Sequence, residues 1–595
     1  MKDWRSEAGK RKRMRALILA MGLALPAGAQ QLHCGTAQLF RTPGGAKSLA
    51  PLWAAKRSAA KSGAAAIEAY RTLETAHFRI SYTLAGLSRI KTVDADSVLL
   101  GLIDSLSRIS PGHGTGANDA AFIDAKLDSL GAPHPQYAMT TAAYLEQARG
   151  YYVDTLGMRA PHSVGLSYYY QASAGNAGKY SVDIVDIGTA VADFRGQPYY
   201  ALTYPATEGG MLLDNDFLYG SRLDSPTGIP KGDTIMSQYR GTLIHNYGID
   251  WEAGLKVTCF HEFYHAVQFT YTPDPNDFHV WYETGAVGME ERNAPEVNDY
   301  LQYLPAFFHD LPDVGMFNYP GLLSWYGNGI FHVFLNHELG EGFDVAVWSR
   351  LAENGNDIRD ALFRIGAAKG KSLRQLYADF AAQLAFSGQP VRPPFQPFSP
   401  DMPRWPTPQA QALNVSSPTA YQTSAQLPMT VNAWQISGAF GSGKSIQVQD
   451  TGLVPVLAFS GPDSSLGGPV LASAAKLDFG DAPGRVNLLL LANGSTTQTL
   501  SAQILVLQSV ASASLFAYPN PLRDGSAGRL YFSRLSHASD IRIFSESGSS
   551  VRSLSFTPDS TLWSWDLKDG NGGLAKPGVY YYSENGGPAA PVLLY

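Results

Sequence analysis

The residues best placed to do chemistry in this 595-residue chain are His261, Glu262 and His265, in the run Phe260-His261-Glu262-Phe263-Tyr264-His265-Ala266-Val267-Gln268. Two histidines four apart fall on one face of a helix, a turn apart, so both imidazoles can reach one cation. Glu262 then sits beside that cation, where its carboxylate can take a proton from bound water. Two neutral nitrogen ligands, an open coordination position and a nearby base are what zinc-assisted hydrolysis requires. No Gly or Pro falls between Lys256 and Tyr271, so residues 257–269 are expected to be helical. A pair of histidines on an ordinary helix surface is the plainer alternative.

Two histidines need a third protein ligand. His265 is not followed by the Gly and third His of the metzincin spacing. A carboxylate from a following helix is the other common solution. Glu283 comes 18 residues after His265, in Trp281-Tyr282-Glu283-Thr284-Gly285-Ala286. Glu290, seven residues further, shares its face and can hydrogen-bond a ligating histidine from behind. Gly285 and Ala286 are small enough for this helix to lie close against the first.

The elements that must position these groups follow from periodicity. Residues 41–66, rich in Ala, Lys, Ser and Gly, read as a leader within 30–74, and order is expected to begin at 75. There Phe78, Ile80 and Tyr82 alternate with polar residues as in a strand. Helical patterns at 119–130 and 138–156 precede strand patterns at 164–170, 180–187, 199–203 and 211–213. After a break at 272–277 the pattern turns helical, at 297–304, 322–339, 343–353 and 373–386. The expected catalytic domain therefore covers 75–388, an α+β lobe (75–270) followed by an all-α lobe (271–388). Eight prolines in residues 390–408 mark a linker over 389–409. Short strand patterns then predict two β-sandwich modules, 410–511 and 512–595.

Composition narrows the function. A formal charge of −6 without a basic stripe argues against nucleic-acid binding. Lys10-Arg11-Lys12-Arg13-Met14-Arg15, an apolar run over 16–25 and Ala27-Gly28-Ala29 have the order of a secretory signal peptide. The apolar run is too short for a permanent bilayer anchor. Cleavage after Ala29 removes seven basic and two acidic residues, leaving 38 basic and 49 acidic, about −11. A secreted or cell-surface protein is expected. Cys34 and Cys259 are the only cysteines, and they can pair in an oxidising compartment or remain buried thiols.

The two ligand motifs, His261-Glu262-Phe263-Tyr264-His265-Ala266-Val267-Gln268 and Trp281-Tyr282-Glu283-Thr284-Gly285-Ala286 with Met289-Glu290-Glu291, resemble the gluzincin (thermolysin-like) zinc metallopeptidases. They are more narrowly similar to a group of exported bacterial peptidase-like proteins with a His-Glu-Phe-Phe-His-Ala-Val-Gln pattern. The likeness covers roughly 75–385, with weaker matches at His77-Phe78-Arg79-Ile80, Asp214-Asn215-Asp216 and Val297-Asn298-Asp299-Tyr300. The group's Glu-Gly-Thr-Ala stands here as Glu283-Thr284-Gly285-Ala286. The resemblance implies one Zn²⁺ on His261, His265 and Glu283, with Glu262 as general base, acting on a peptide or protein substrate. It also implies an oxyanion donor from the helical lobe, for which Tyr326 is the candidate, ahead of His279, Tyr282 and Tyr300. By the same analogy the strand near 211–217 borders the cleft and pairs with an extended peptide.

Gly438-Ala439-Phe440-Gly441-Ser442-Gly443-Lys444-Ser445 matches the nucleotide-binding P-loop pattern, but Ile446-Gln447-Val448-Gln449 after it alternates as a strand instead of opening a helix. It reads as a glycine-rich hairpin, and no nucleotide is expected. Near the C-terminus, Ala517-Tyr518-Pro519-Asn520-Pro521, Trp565-Asp566-Leu567-Lys568-Asp569-Gly570-Asn571-Gly572-Gly573 and Pro577-Gly578-Val579-Tyr580-Tyr581-Tyr582 resemble immunoglobulin-like modules. These are the modules of the flagellar hook-capping protein and of type IX secretion sorting domains, which implies possible surface attachment. The competing reading is a cell-surface binding or adhesive protein on a peptidase-like scaffold whose hydrolysis is lost or incidental.

Overall fold

The computed structural model describes Cys34 and, with interruptions, residues 69–594; 1–33, 35–68, 188–198, 218–233, 273–278, 389–396, 438–443, 461–467, 595 and shorter loops lie outside the description. The expected signal peptide, most of the expected leader and the glycine-rich part of the P-loop-like run therefore fall outside the described residues. The chain is multidomain and contains helices and several β-sheets. It divides into two compact units, 1–148 with 161–266, and 149–160 with 267–595.

In the first unit a mixed five-stranded sheet is built from β1 (Arg71–Glu74), β2 (Phe78–Tyr82), β3 (Tyr180–Val185), β4 (Ala201–Thr203) and β5 (Met211–Asp214), in the order β1-β2-β3-β5-β4. The first strand lies inside the expected leader, where it pairs antiparallel with β2 and shields its outer edge. Phe78, Ile80 and Tyr82 are fully buried, as the alternation predicts. The central strand β3 is buried along its whole length, which forces its polar residues to find partners. Asp183 accepts hydrogen bonds from Ser167 Oγ and from the Tyr168 backbone N–H, both at 2.6 Å.

Helices α1 (Ser97–Ile109), α2 (Ala117–Ser129) and α3 (Gln136–Arg149) lie between β2 and β3 in sequence. Arg71, 2% exposed, ties β1 to the end of α2 through Asp128 and the carbonyls of Ala132 and Pro133. Two short strands, β6 (Thr234–Met236) and β7 (Leu243–His245), form a separate hairpin that periodicity does not reveal.

Helix α4 (Trp251–Gln268) carries the histidine motif and is longer at its start than the motif required. Its Phe263 ring meets Phe78 of β2 at 5.2 Å and Tyr180 of β3 at 6.0 Å, both edge-on. One face of the sheet thereby sets the rotation of α4. Gly254 permits a close approach near its start, since a Cβ there would collide with the Tyr247 side chain.

The second unit opens with the last residues of α4 and with α5 (His279–Asn293), which carries Glu283 and Glu290. It continues through α6 (Leu304–Asp310), α7 (Leu322–Gly327), α8 (Gly329–Leu339), α9 (Phe343–Asn354), α10 (Ile358–Ala368) and α11 (Leu373–Leu384). The helical pattern expected at 297–304 is a 3-10 turn at Asp299–Tyr303, and α6 and α10 add two further helices within the expected all-α lobe. Helix α5 packs tightly on α8 at Gly288, where a Cβ would overlap the His332 ring, and a Cβ at Gly329 would in turn strike Val287. The close approach thus falls at Gly288, three residues past the Gly285 that the spacing suggested. His332 Nε2 and Asp344 Oδ1 pair at 3.1 Å in full burial and join α8 to α9.

The described part of the proline-rich stretch is docked rather than loose. Phe398, Met402 and Trp405 are buried, and the Trp405 indole donates to Tyr300 Oη at 3.0 Å. The following module has one five-stranded and one four-stranded sheet, and it bonds the helical part directly. The Tyr377 hydroxyl donates to Met429 O at 2.7 Å, and the Val431 N–H to Leu311 O at 3.1 Å. Lys444–Gln449 is a strand, as the alternation predicts. In the last module a three-stranded and a four-stranded sheet share a core of Leu530, Phe532, Ile541, Ile543, Trp565 and Tyr582. No helix among the described residues is long and apolar enough to cross a membrane.

Candidate metal centre

On α4 the helical spacing does what was expected of it. His261 Nε2 and His265 Nε2 lie 2.9 Å apart, with ring planes crossed at 83°. A tetrahedral zinc ion at its usual bond length would hold two such nitrogens about 3.3 Å apart, so the rings are nearly set for a shared ion. The structure brings Glu283 of α5 to the same point. It also brings a residue that the motifs did not include, Cys34. One ligand atom from each of Cys34, His261, His265 and Glu283 lies within 4.8 Å of the others.

All four side chains are buried, His261 at 4% exposure and the others at 1% or less. Packing a carboxylate, two imidazoles and a thiol into one dry space is unfavourable unless something compensates them, and a divalent cation does so. The sulphur, nitrogen and oxygen donors suit a borderline-soft metal. These residues fit a bound metal ion; the donor set alone does not single out zinc.

Glu262 is fully buried on the same helix, and its partner is Thr203 of β4. The threonine Oγ1 lies 2.6 Å from Glu262 Oε2 and 3.0 Å from the Glu262 main-chain oxygen. Its single proton serves the shorter, charge-assisted contact. The carboxylate also marks its surroundings: burial first, and then the Glu262 charge, push the Tyr180 phenol and the Cys259 thiol well above their ordinary pKa values. Both stay neutral.

No disulfide joins Cys34 and Cys259. Cys259 stands two positions before His261, about 200° around the helix, so a sulphur placed with the histidines cannot also reach it. Of the two states left open by the sequence, the structure shows buried, unlinked thiols, with Cys34 placed among the metal-capable donors.

The remaining candidates are distributed around this core. Glu290 is buried on α5; burial first, and then the charges of Tyr151 and Glu290, push the Tyr152 phenol well above its ordinary value. Tyr326 on α7 is 1% exposed, with its ring stacked on Tyr303 at 4.8 Å. Tyr300 is engaged with Trp405, and the Tyr282 hydroxyl meets Thr272. His279 is the first residue of α5. The strand expected near 211–217, observed at 211–214, does not have a free side: β5 lies between β3 and β4, and β4 is the outer strand at that edge of the sheet. Cys34 forms a parallel β-bridge with Ala201 of that outer strand. Thr203 and Cys34 are the two site residues that sequence reasoning missed. A threonine in a three-residue strand has no distinguishing signal. A cysteine standing alone near the start of an expected exported chain is a faint one.

No family model matches the chain, and no curated protein matches it. Among solved structures, it is similar over 16% of its length to PorZ, described as an essential bacterial surface component of the type IX secretion system of Porphyromonas gingivalis, at 17% identity and a TM-score of 0.13. It is similar over 30% of its length to dimeric latent PorU from Porphyromonas gingivalis, at 15% identity and a TM-score of 0.14. The matched parts span 14% and 20% of those two chains.

Proposed function

We propose that this protein is an exported zinc metallopeptidase of gluzincin type, hydrolysing peptide bonds in a peptide or protein substrate. The observation carrying the reading is the convergence of His261, His265 and Glu283, with Glu262 next in sequence to one ligand and held in place by Thr203. His261, His265 and Glu283 would hold the ion. Bound zinc would supply a water of lowered pKa and polarise the scissile carbonyl. Glu262 takes the water proton, on Oε1 if Thr203 keeps Oε2, and returns it to the leaving amine. Tyr326 is retained as the oxyanion donor by resemblance, although its ring is stacked in the core. Glu290 is retained as the support behind a ligating histidine on the same footing.

The C-terminal module, with two sheets around one core, fits the immunoglobulin-like reading and a role in surface attachment, including a type IX route. A second reading draws on the thiol: four protein donors suit a closed structural metal site in a surface binding protein.

The test is metal content and hydrolysis of a mixed peptide library. The reading expects about one zinc per chain. It also expects Glu262→Gln to keep the metal while slowing hydrolysis at least about a hundredfold. Purified protein that takes up no zinc at micromolar supply would refute it.

A further inference from the structure

We infer that Cys34 is a fourth metal ligand that closes the site and holds the chain latent until the cysteine is displaced. The inference rests on the peptidase reading for its consequence, but not for the ligation itself.

Three observations converge on Cys34. Its sulphur belongs to the same group of donor atoms as His261, His265 and Glu283, all within 4.8 Å of one another. The residue is 1% exposed, so the thiol faces that group and not solvent. Its backbone forms a parallel bridge with Ala201, on the outer strand β4, two residues from the Thr203 that positions Glu262. Cys34 is therefore fastened beside the catalytic carboxylate by main chain as well as by its side chain.

The chemistry follows from coordination number. Zinc sites that catalyse hydrolysis keep three protein ligands and leave the fourth position to water, whereas sites with four protein ligands are closed. A thiol that binds gives up its proton and enters as thiolate. It then stands where the nucleophilic water must stand, and Glu262 has nothing to deprotonate. The bridge to Ala201 adds a second block. An extended substrate adds to a sheet through an open edge, and at Ala201 that edge is already taken by the Cys34 backbone. Withdrawing this one residue clears both the metal position and the strand edge. Displacement would be a ligand exchange without change of oxidation state: the metal–sulphur bond would break, the thiolate would take up a proton from solvent, and a water molecule would fill the vacated position.

The experiment uses the full chain, with cobalt in place of zinc for spectroscopy. Wild-type protein is expected to show a near-ultraviolet thiolate-to-cobalt charge-transfer band, a measurement that needs no variant to fold. Cys34→Ala and Cys34→Ser, checked by circular dichroism, should lose the band and keep one metal per chain. Loaded with zinc, both should hydrolyse a peptide library at least about tenfold faster than wild type. A wild-type chain without the band overturns the inference. So does a variant that loses its metal, which makes the site a closed structural one, and so does wild-type hydrolysis as fast as that of the variants. If the band is present and the variants keep metal yet hydrolyse nothing, it is the peptidase reading that fails, and Cys34 remains as a ligand without latency.

Discussion

Thr203 on the outer strand of the sheet and Glu262 on the histidine helix are joined by a 2.6 Å hydrogen bond from hydroxyl to carboxylate. A buried carboxylate with several rotatable bonds would otherwise have many orientations, of which few would face a water on the proposed metal. The bond selects among them. Thr203→Val keeps the shape and removes the donor, so it should leave zinc content unchanged. Removing a charge-assisted hydrogen bond of this kind should lower kcat about ten- to hundredfold. Because substrate contacts are untouched, KM should move little. An unchanged kcat in a fully zinc-loaded variant would count against the positioning role.

The join between α5 and α8 depends on the missing side chain of Gly288. Gly288→Ala places a methyl group against the His332 ring, and that ring is already held by Asp344 at 3.1 Å. It cannot swing away without breaking a buried pair. Overpacking at such a site costs about 1–3 kcal/mol, to be seen as a lower melting temperature. Glu283 lies on the same helix, so weaker zinc affinity should accompany it, measured by chelator competition.

Two carboxyls, Asp124 buried and Glu291 half-buried, give stability a dependence on pH. Glu291 is pushed up to about 8, by burial first and then by the negative charges of Asp401 and Glu290. Asp124 is pushed up to about 7, again by burial first, with the Arg71 charge opposing and the Asp128 charge adding. In each case the folded chain keeps a proton that the unfolded chain has released. The stabilisation is therefore complete below the ordinary carboxyl values of 4.5 and 3.8, and is lost as pH rises through about 7 and 8. The melting temperature should fall between pH 5 and pH 9, and Glu291→Gln with Asp124→Asn should make that fall shallower. An equal or steeper decline in the double variant would contradict the assignment.

Much of the site is legible in the chain as written. His261 and His265 face one point because backbone hydrogen bonds within α4 place residues i and i+4 on one side, whatever surrounds the helix. Glu283 stands out because a proposed metal site on two histidines calls for a third donor, and a second helix soon after the first carries it. The strand at 78–82 is likewise local, since its alternation records which side is buried, whereas the strands expected at 180–187 and 211–213 form at 180–185 and 211–214 and are buried on both faces. Less was legible where side chains compete. The segment at 297–304 tightened into a 3-10 turn, and the proline-rich stretch, which composition marks as a linker, is anchored by Phe398, Met402 and Trp405.

By itself, then, the sequence determined the two-histidine helix, the glutamate beside it and a second helix bearing Glu283. Each of these follows from spacing along a single regular element. Only the tertiary structure decided that Cys34, more than two hundred residues before His261, joins the same donors, and that Thr203, 59 residues before Glu262, holds it. The physical reason is that a helix imposes its own geometry through hydrogen bonds of constant reach, whereas contacts between remote segments depend on how the sheet, its edge strand and the helix pack together.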